Sequence, residues 1–274
     1  MYQLHLGSLE VISMKYLFIV EGPSDAIIYE AILSALIDTN VSVVVTKGDI
    51  TSKTDLPYFM LKGTELIEEF IKKELSNSEI LGLSKVIFIA DTDGCYIPNE
   101  NIKSSSDVQF NIYQANCIIG RSCADLVNRN KRKSLNLNLI YKAETVLDDV
   151  PLESYYNSCN LDHVYFNERN LSDDLKIPYA RNFANKLVDS LTDYILFISS
   201  DKLCPYKDYY KSWEYIKSRT NSLLRRTNFY SFLLCNFEIL NDSVKSIIKS
   251  VNSTECKFNK VKRMNNEGLD KSDV

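Results

Sequence analysis

Three short apolar runs dominate the first hundred residues, and each is cut off by residues that turn the chain. Tyr16-Leu17-Phe18-Ile19-Val20 stops at Glu21-Gly22-Pro23-Ser24-Asp25. Val41 to Val45 stops at Lys47-Gly48-Asp49, and Val86-Ile87-Phe88-Ile89-Ala90 stops at Asp91-Thr92-Asp93-Gly94. Continuous runs of this length, rich in β-branched residues, read as strands buried on both faces. Between them lie two helical patterns. Ala26 to about Ile37 carries Ile27, Ile28, Ala31, Ile32 and Leu36 as an apolar stripe, with Ser24 or Asp25 as its cap. Leu61 to Leu75 turns Leu66, Ile67, Phe70 and Ile71 inward and Glu65, Glu68, Glu69, Lys72 and Lys73 outward. Strands alternating with helices predict an α/β fold: a Rossmann-like, mostly parallel sheet flanked by helices. Ligands of such sheets bind beyond the carboxyl ends of the strands, which is where both acidic clusters fall.

Beyond Gly94 the pattern weakens. Phe110 to Tyr113 and Leu137 to Tyr141 are expected to continue the sheet as strands. From about Pro178 the pattern is helical, with candidates at Tyr179–Asp193, Asp208–Asn221, Leu223–Leu234 and Ile239–Val251. The expected division is an α/β domain over 1–175, with its motif core at 14–115, a mainly helical C-terminal extension over 176–256, and a polar, flexible tail over 257–274.

Composition sets outer bounds. With 45% hydrophobic and 25% charged residues the 274-residue chain is neither disordered nor fibrous. Only 8 Gly and 6 Pro imply long elements and short loops. The net charge of −4 conceals an asymmetry: residues 1–115 hold 8 Lys/Arg against 16 Asp/Glu, and residues 116–274 hold 24 against 20. An acidic front beside a mildly basic back suits a metal site next to a polyanion-binding surface. The seven cysteines are scattered without a C-x-x-C pair, so they form neither a disulfide framework nor a zinc spacing. No apolar run approaches the ~20 residues that span a bilayer, and the stretch before Lys15 lacks the features of a signal peptide. A cytoplasmic protein with reduced thiols and no membrane contact is expected.

The chemistry resides in Glu21-Gly22-x-x-Asp25 after the first strand and Asp91-x-Asp93-Gly94 after the third. Carboxylates that converge at strand ends repel one another unless a cation joins them or their pKa values rise. Oxygen-only ligands favour hard ions, Mg²⁺ or Mn²⁺, over zinc. Such an ion polarises a scissile phosphate and acidifies an attacking water, and a free carboxylate can move the proton.

These residues resemble the TOPRIM domain, the catalytic module of bacterial primases, type IA and II topoisomerases, OLD-family nucleases and small ribosomal-RNA maturases. That family has a strand running into Glu-Gly, here Glu21-Gly22, and a second running into D-x-D, here Asp91-Thr92-Asp93; Gly48 also suits the pattern. The resemblance covers residues 14 to 115. It implies metal (Mg²⁺ or Mn²⁺) held by Asp91 and Asp93, with Glu21 as a further metal ligand or as general acid/base, and Asp25 as the second acidic position of the catalytic set. The chain has no room for a topoisomerase's tyrosine domain or a primase's accessory parts, so it looks most like the TOPRIM half of OLD-type nucleases and the standalone effectors of anti-phage systems. The implied activity is metal-dependent endonuclease cleavage of DNA or RNA in antiviral defence, beside a separate ATPase, since no Walker A motif occurs here, and with a homo-oligomer as a further expectation. The alternative is a non-catalytic TOPRIM-like module that senses nucleic acid or a nucleotide.

Three further segments stand out. The basic run Asn128 to Ser134 predicts nucleic-acid phosphate contacts from Lys131, Arg132 and Lys133, or else a solvated turn. In Ser158-Cys159-Asn160-Leu161-Asp162-His163, Asp162 can supply another acidic ligand and His163 a proton donor. Tyr206, Tyr209, Tyr210, Trp213 and Tyr215, interleaved with Lys207, Lys211 and Lys217, can stack bases, but their helical spacing reads first as core. Cys95 reads as packing.

Overall fold

The computed structural model of the chain describes residues 14–253. The expectations for the segment before Met14 and for a flexible tail at 257–274 therefore lie outside the described residues. The three apolar runs are strands: β1 (Met14–Val20), β2 (Val41–Lys47) and β3 (Lys85–Asp91). A small sheet follows, from β4 (Ile102–Ser104), β5 (Ile112–Tyr113) and β6 (Ile118–Gly120), and then β7 (Thr145–Val146) and β8 (Val150–Asn157). The main sheet has the order β2-β1-β3-β8-β7, in which β2, β1, β3 and β8 are parallel and the edge strand β7 is antiparallel. The helices are α1 (Pro23–Leu36), α2 (Thr64–Glu74), α3 (Asn77–Leu81), α4 (Cys123–Ile140), α5 (Leu161–Phe166), α6 (Asp173–Leu187), α7 (Leu191–Ser199), α8 (Tyr209–Ile216), α9 (Phe229–Cys235) and α10 (242–253). The fold is thus α/β, with a mostly parallel mixed sheet flanked by helices.

The pleat sorts the core into two layers. Tyr16, Phe18 and Val20 of β1 and Ile87 and Ile89 of β3 face α1, α6, α7, α9 and α10. Leu17, Ile19, Val86, Phe88 and Ala90 face α2, α4 and α8. A one-residue slip of register would exchange the two sets, but both faces are apolar, so each central strand is held by burial on both sides. The helical region covers both faces of the sheet. The 175/176 division falls inside α6, whose Ala180 and Leu187 share one apolar cluster with Ile28 and Ile32 of α1. Trp213 of α8 is fully buried, stacked on Tyr141 with ring centroids 5.0 Å apart and edge-on to Tyr156, so the centre of the aromatic stripe is core, while Tyr206 and Tyr210 are exposed.

Two sequence expectations are corrected. Residues 137–140 are not a strand; they end α4, an 18-residue helix capped by the Ser122 hydroxyl. Its buried stripe runs Leu126, Asn130, Lys133, Asn136, Leu137, Ile140, a helical period whose three polar members hide it from a search for apolar residues. The basic run at 128–134 is therefore mid-helix and not a turn. The strand that closes the sheet is β8, where Pro151, Glu153 and Ser154 mask the pattern. Glu153 is satisfied there by Lys85 at 2.8 Å, Asn236 at 2.7 Å and the Tyr155 hydroxyl at 2.7 Å.

Candidate active site at the carboxyl ends of β1 and β3

Each acidic side chain is placed by a local device. After β1 the chain turns into α1 at Gly22, with Pro23 in the first turn. Asp25 accepts the Gly22 N–H at 3.0 Å and the Ser24 hydroxyl at 3.2 Å, so this carboxylate caps the helix as it faces the cleft. Gly48, after β2, donates to the Val20 carbonyl at 2.7 Å, and a Cβ there would lie 2.5 Å from Phe70; only glycine lets β2 end this close to α2. After β3, Thr92 N–H donates to the Asn157 carbonyl at 2.9 Å and Asp93 N–H to the Cys159 carbonyl at 2.7 Å. Asp93 and Gly94 both take positive φ, 48° and 64°, which folds the D-x-D turn back over the sheet.

Glu21 and Asp93 converge on a lysine. Lys133, with no exposed surface, places its ammonium 2.9 and 3.0 Å from the two Glu21 oxygens and 2.5 Å from Asp93 Oδ2. The other Asp93 oxygen accepts the Tyr113 hydroxyl at 3.2 Å. Arg129 braces the assembly, donating to Tyr113 Oη at 3.0 Å and to the Asp93 carbonyl at 2.8 Å. Asp91 is differently placed: it accepts Asn157 Nδ2 at 3.3 Å, and Asn157 in turn accepts the buried Tyr29 hydroxyl at 3.2 Å. Among the described residues Asp91 and Asp25 have no ion pair, whereas Glu21 and Asp93 share one.

The electrostatics follow this pairing. Burial would raise Asp93, but Lys133 and Arg129 with the Lys133 and Tyr113 hydrogen bonds hold it below the usual carboxylate range. Burial raises Glu21, against the pull of Lys133 and with Asp49 and Asp93 adding to the rise. Asp91 is pushed well up by burial and then by Asp25, Glu21 and Asp93. Asp25 is raised by burial despite its helix-capping bonds. Lys133 is desolvated, yet Asp93 and Glu21 hold it firmly as an ammonium.

Glu21, Asp25, Asp91 and Asp93 line one cavity of about 490 Å³, closed on the far side by Tyr113 and Asp162. It adjoins a groove of about 790 Å³ walled by residues 107–113 and 169–176, and the two share Tyr113, Asn160, Asp162, Asp173 and Lys176. All four residues of the Glu-Gly-x-x-Asp and D-x-D motifs thus reach a common space. Among the described residues no three His, Cys, Asp or Glu side chains form a ready-made cage round one metal ion. The donor set nonetheless fits a hard ion of the Mg²⁺ type, which is commonly held by one or two carboxylates with waters and substrate oxygens completing its shell. Asp91, half-buried, and Asp25, buried, have no ion pair among the described residues.

The basic run divides three ways. Lys131 is exposed, Arg132 donates to the carbonyls of Tyr58 (2.5 Å) and Phe59 (3.2 Å), and Lys133 lies inside the acidic cluster. The expected phosphate-contacting surface of Lys131, Arg132 and Lys133 is thereby corrected for Lys133, because α4 turns that position inward. Tyr113 and Asn157 were not among the expected site residues, and Arg129 entered only as a member of the basic run; the helical spacing 126, 130, 133, 137 was the signal that could have turned Lys133 inward.

Asp162 and His163 open α5, where Asn160 Oδ1 accepts His163 N–H at 2.8 Å. Asp162 lines the cavity, is 5% exposed, and its Oδ1 has no hydrogen-bond partner. His163 is buried behind it, away from the cavity lining. Burial lifts Asp162 to about 6, with Lys176 opposing. Burial and then Arg169, Arg225 and Arg226 lower His163 to about 4. The two shifts oppose each other in stability. A carboxyl raised in the fold loses stability as pH climbs from its unfolded value towards 6, and an imidazole lowered in the fold loses it as pH drops from its unfolded value towards 4. Asp162→Asn is expected to stabilise the protein by about 1–2 kcal/mol above pH 6 and by nothing near pH 4. His163→Gln should remove the acid-side loss instead, so the two variants tilt the urea midpoint against pH in opposite senses. Parallel profiles for both would refute this pairing.

Among the described residues no helix is long and apolar enough to cross a membrane. No protein-family model, curated protein or solved structure matches the chain.

Proposed function

We propose that this chain is a divalent-cation-dependent nuclease of the TOPRIM type, hydrolysing phosphodiester bonds in DNA or RNA. The observation that carries this reading is the meeting of Glu21 from β1 with Asp93 from the adjacent parallel β3, over a cavity that also holds the unpaired Asp91 and Asp25. Asp91 and Asp25 would hold Mg²⁺ or Mn²⁺, which when bound draws charge from the phosphate oxygens and acidifies a water. Lys133 acts as a positioning residue: it is wholly covered by Glu21 and Asp93 and fixes both carboxylates against the cavity. Arg129 and Tyr113 hold the D-x-D turn from the other side. Asp162 presents an unbonded oxygen to the cavity and titrates near 6, so it is suited to take a proton from the attacking water and return one to the leaving oxygen. The resemblance in Glu21-Gly22 and Asp91-x-Asp93 also supports an effector role beside a separate ATPase.

A second reading, a non-catalytic nucleic-acid or nucleotide sensor, is favoured by one observation: an ammonium already sits between Glu21 and Asp93. Incubation with supercoiled plasmid, single-stranded DNA and total RNA separates the two. The nuclease reading expects cleavage of at least one pool with Mg²⁺ or Mn²⁺, abolished by EDTA and by Glu21→Gln with the circular-dichroism spectrum unchanged. Binding that persists in EDTA with no cleavage of any pool would favour the sensor.

A further inference from the structure

Resting on that reading, we propose that Lys133 is a built-in cation filling one of two cation positions in the cleft, so that the site takes a single divalent ion, held by Asp91 and Asp25. Phosphodiester chemistry is often run by two metal ions about 3.5–4 Å apart, each drawn in by shared carboxylates. In this cleft the position between Glu21 and Asp93 is filled by Lys133 Nζ, at 2.9, 3.0 and 2.5 Å from their oxygens.

Lys133 cannot readily swing away. It stands in the middle of an 18-residue helix, on the buried stripe between Asn130 and Leu137. One turn further on, Asn136 clamps that helix, donating to the Thr51 carbonyl at 2.9 Å and accepting Gly63 N–H at 3.2 Å. Moving the ammonium out would strip Glu21 of its ion-pair partner and leave Asp93 with only Arg129 nearby, which is costly.

The opposite wall differs in kind. Lys133, with Arg129 beside it, balances Glu21 and Asp93. Asp91 and Asp25 are within ion-pair distance of no described side-chain cation, and their two negative charges are what one divalent ion balances. An independent sign comes from Asp162, which contributes to the same cavity a carboxylate oxygen that is buried and without a hydrogen-bond partner. A cation, or a donor such as a cation-bound water, would satisfy that oxygen.

The test is Mn²⁺ binding to the full chain, followed by calorimetry and by electron paramagnetic resonance. Wild type is expected to bind one Mn²⁺ with no spin-coupled pair. Asp91→Asn should weaken binding by at least ~10-fold, whereas Glu21→Gln should leave it within ~3-fold. Lys133→Met, where it folds, should bind a second ion; where it does not, the wild-type count and the two carboxylate variants still decide. Two coupled ions in the wild type, or loss of the ion in Glu21→Gln but not in Asp91→Asn, would overturn the inference while leaving a metal-dependent nuclease intact. No Mn²⁺ bound at millimolar concentration, with no cleavage of any pool, would remove the nuclease reading and this inference together.

Discussion

Lys133→Met is expected to lower folding stability by about 3–5 kcal/mol, the cost of stripping the partner from a buried ion pair. For a chain of this size that is a fall of roughly 6–20 °C in thermal midpoint. The variant keeps most of the side-chain volume, so the loss is electrostatic and not a cavity. It leaves Glu21, whose side chain is 10% exposed, without its ion-pair partner and Asp93 with only Arg129 as a nearby cation. The pH dependence identifies the cause. Lys133 holds the Asp93 carboxyl below its ordinary value, so this contribution is present above the unfolded carboxylate pKa and is lost as pH falls through the folded one. The gap between wild type and Lys133→Met should therefore be widest near neutrality and close in acid, and Glu21→Gln placed on top of Lys133→Met should recover part of the loss. Thermal melts in EDTA at a series of pH values measure this; a gap that stays constant down to pH 3 would show that packing, not charge, sets it.

Asp91→Asn is expected to move stability and activity in opposite directions. Asp91 carries a charge that burial and three neighbouring carboxylates disfavour, and its one hydrogen bond comes from Asn157 at 3.3 Å. A carboxyl raised in the fold loses stability as pH rises through its folded pKa, so removing the charge should stabilise the protein by about 1–3 kcal/mol at pH 7, with no gain below pH 4. The same change deletes the best candidate metal ligand and should reduce divalent-dependent cleavage by roughly 10³-fold, in line with several kcal/mol of lost charge stabilisation. Urea titration of the purified variant beside a cleavage assay checks both halves. A variant that is destabilised at pH 7, or one that still cuts at the wild-type rate, would contradict the placement of Asp91.

What could be read from the chain alone depended on whether function and packing wrote the same pattern. β1 and β3 were legible because their centres are apolar and buried on both faces, and β2, a half-buried edge strand, because its valines sit between turn signals; the turns after β1 and β3 carry Glu21, Asp25, Asp91 and Asp93 in view. α4 was not, because its inward stripe spends three of six buried positions on Asn130, Lys133 and Asn136. A lysine among other basic residues reads as surface; only the partners at Glu21 and Asp93, more than 100 and about 40 positions away in the chain, make burial tolerable, and those partners are invisible to local periodicity. β8 was obscured for the same reason, since Glu153 is buried against Lys85 and Asn236 from distant segments. Asp162 was noticed for its odd surroundings, yet its orientation depends on loop contacts from far along the chain.

Those contacts carry a consequence for biosynthesis. The turn after β8 is stitched to a late segment: Ser158 N–H donates to the Arg226 carbonyl at 2.7 Å, Cys159 N–H and the Thr92 hydroxyl both reach the Ser222 carbonyl, and Asn228 Oδ1 accepts Tyr156 N–H. A nascent polypeptide still on the ribosome can pair its early strands as they emerge, but it cannot lock the wall bearing Asp162 until residues 222–228 have cleared the exit tunnel. The wall bearing Asp162 is therefore completed only after this late segment has emerged.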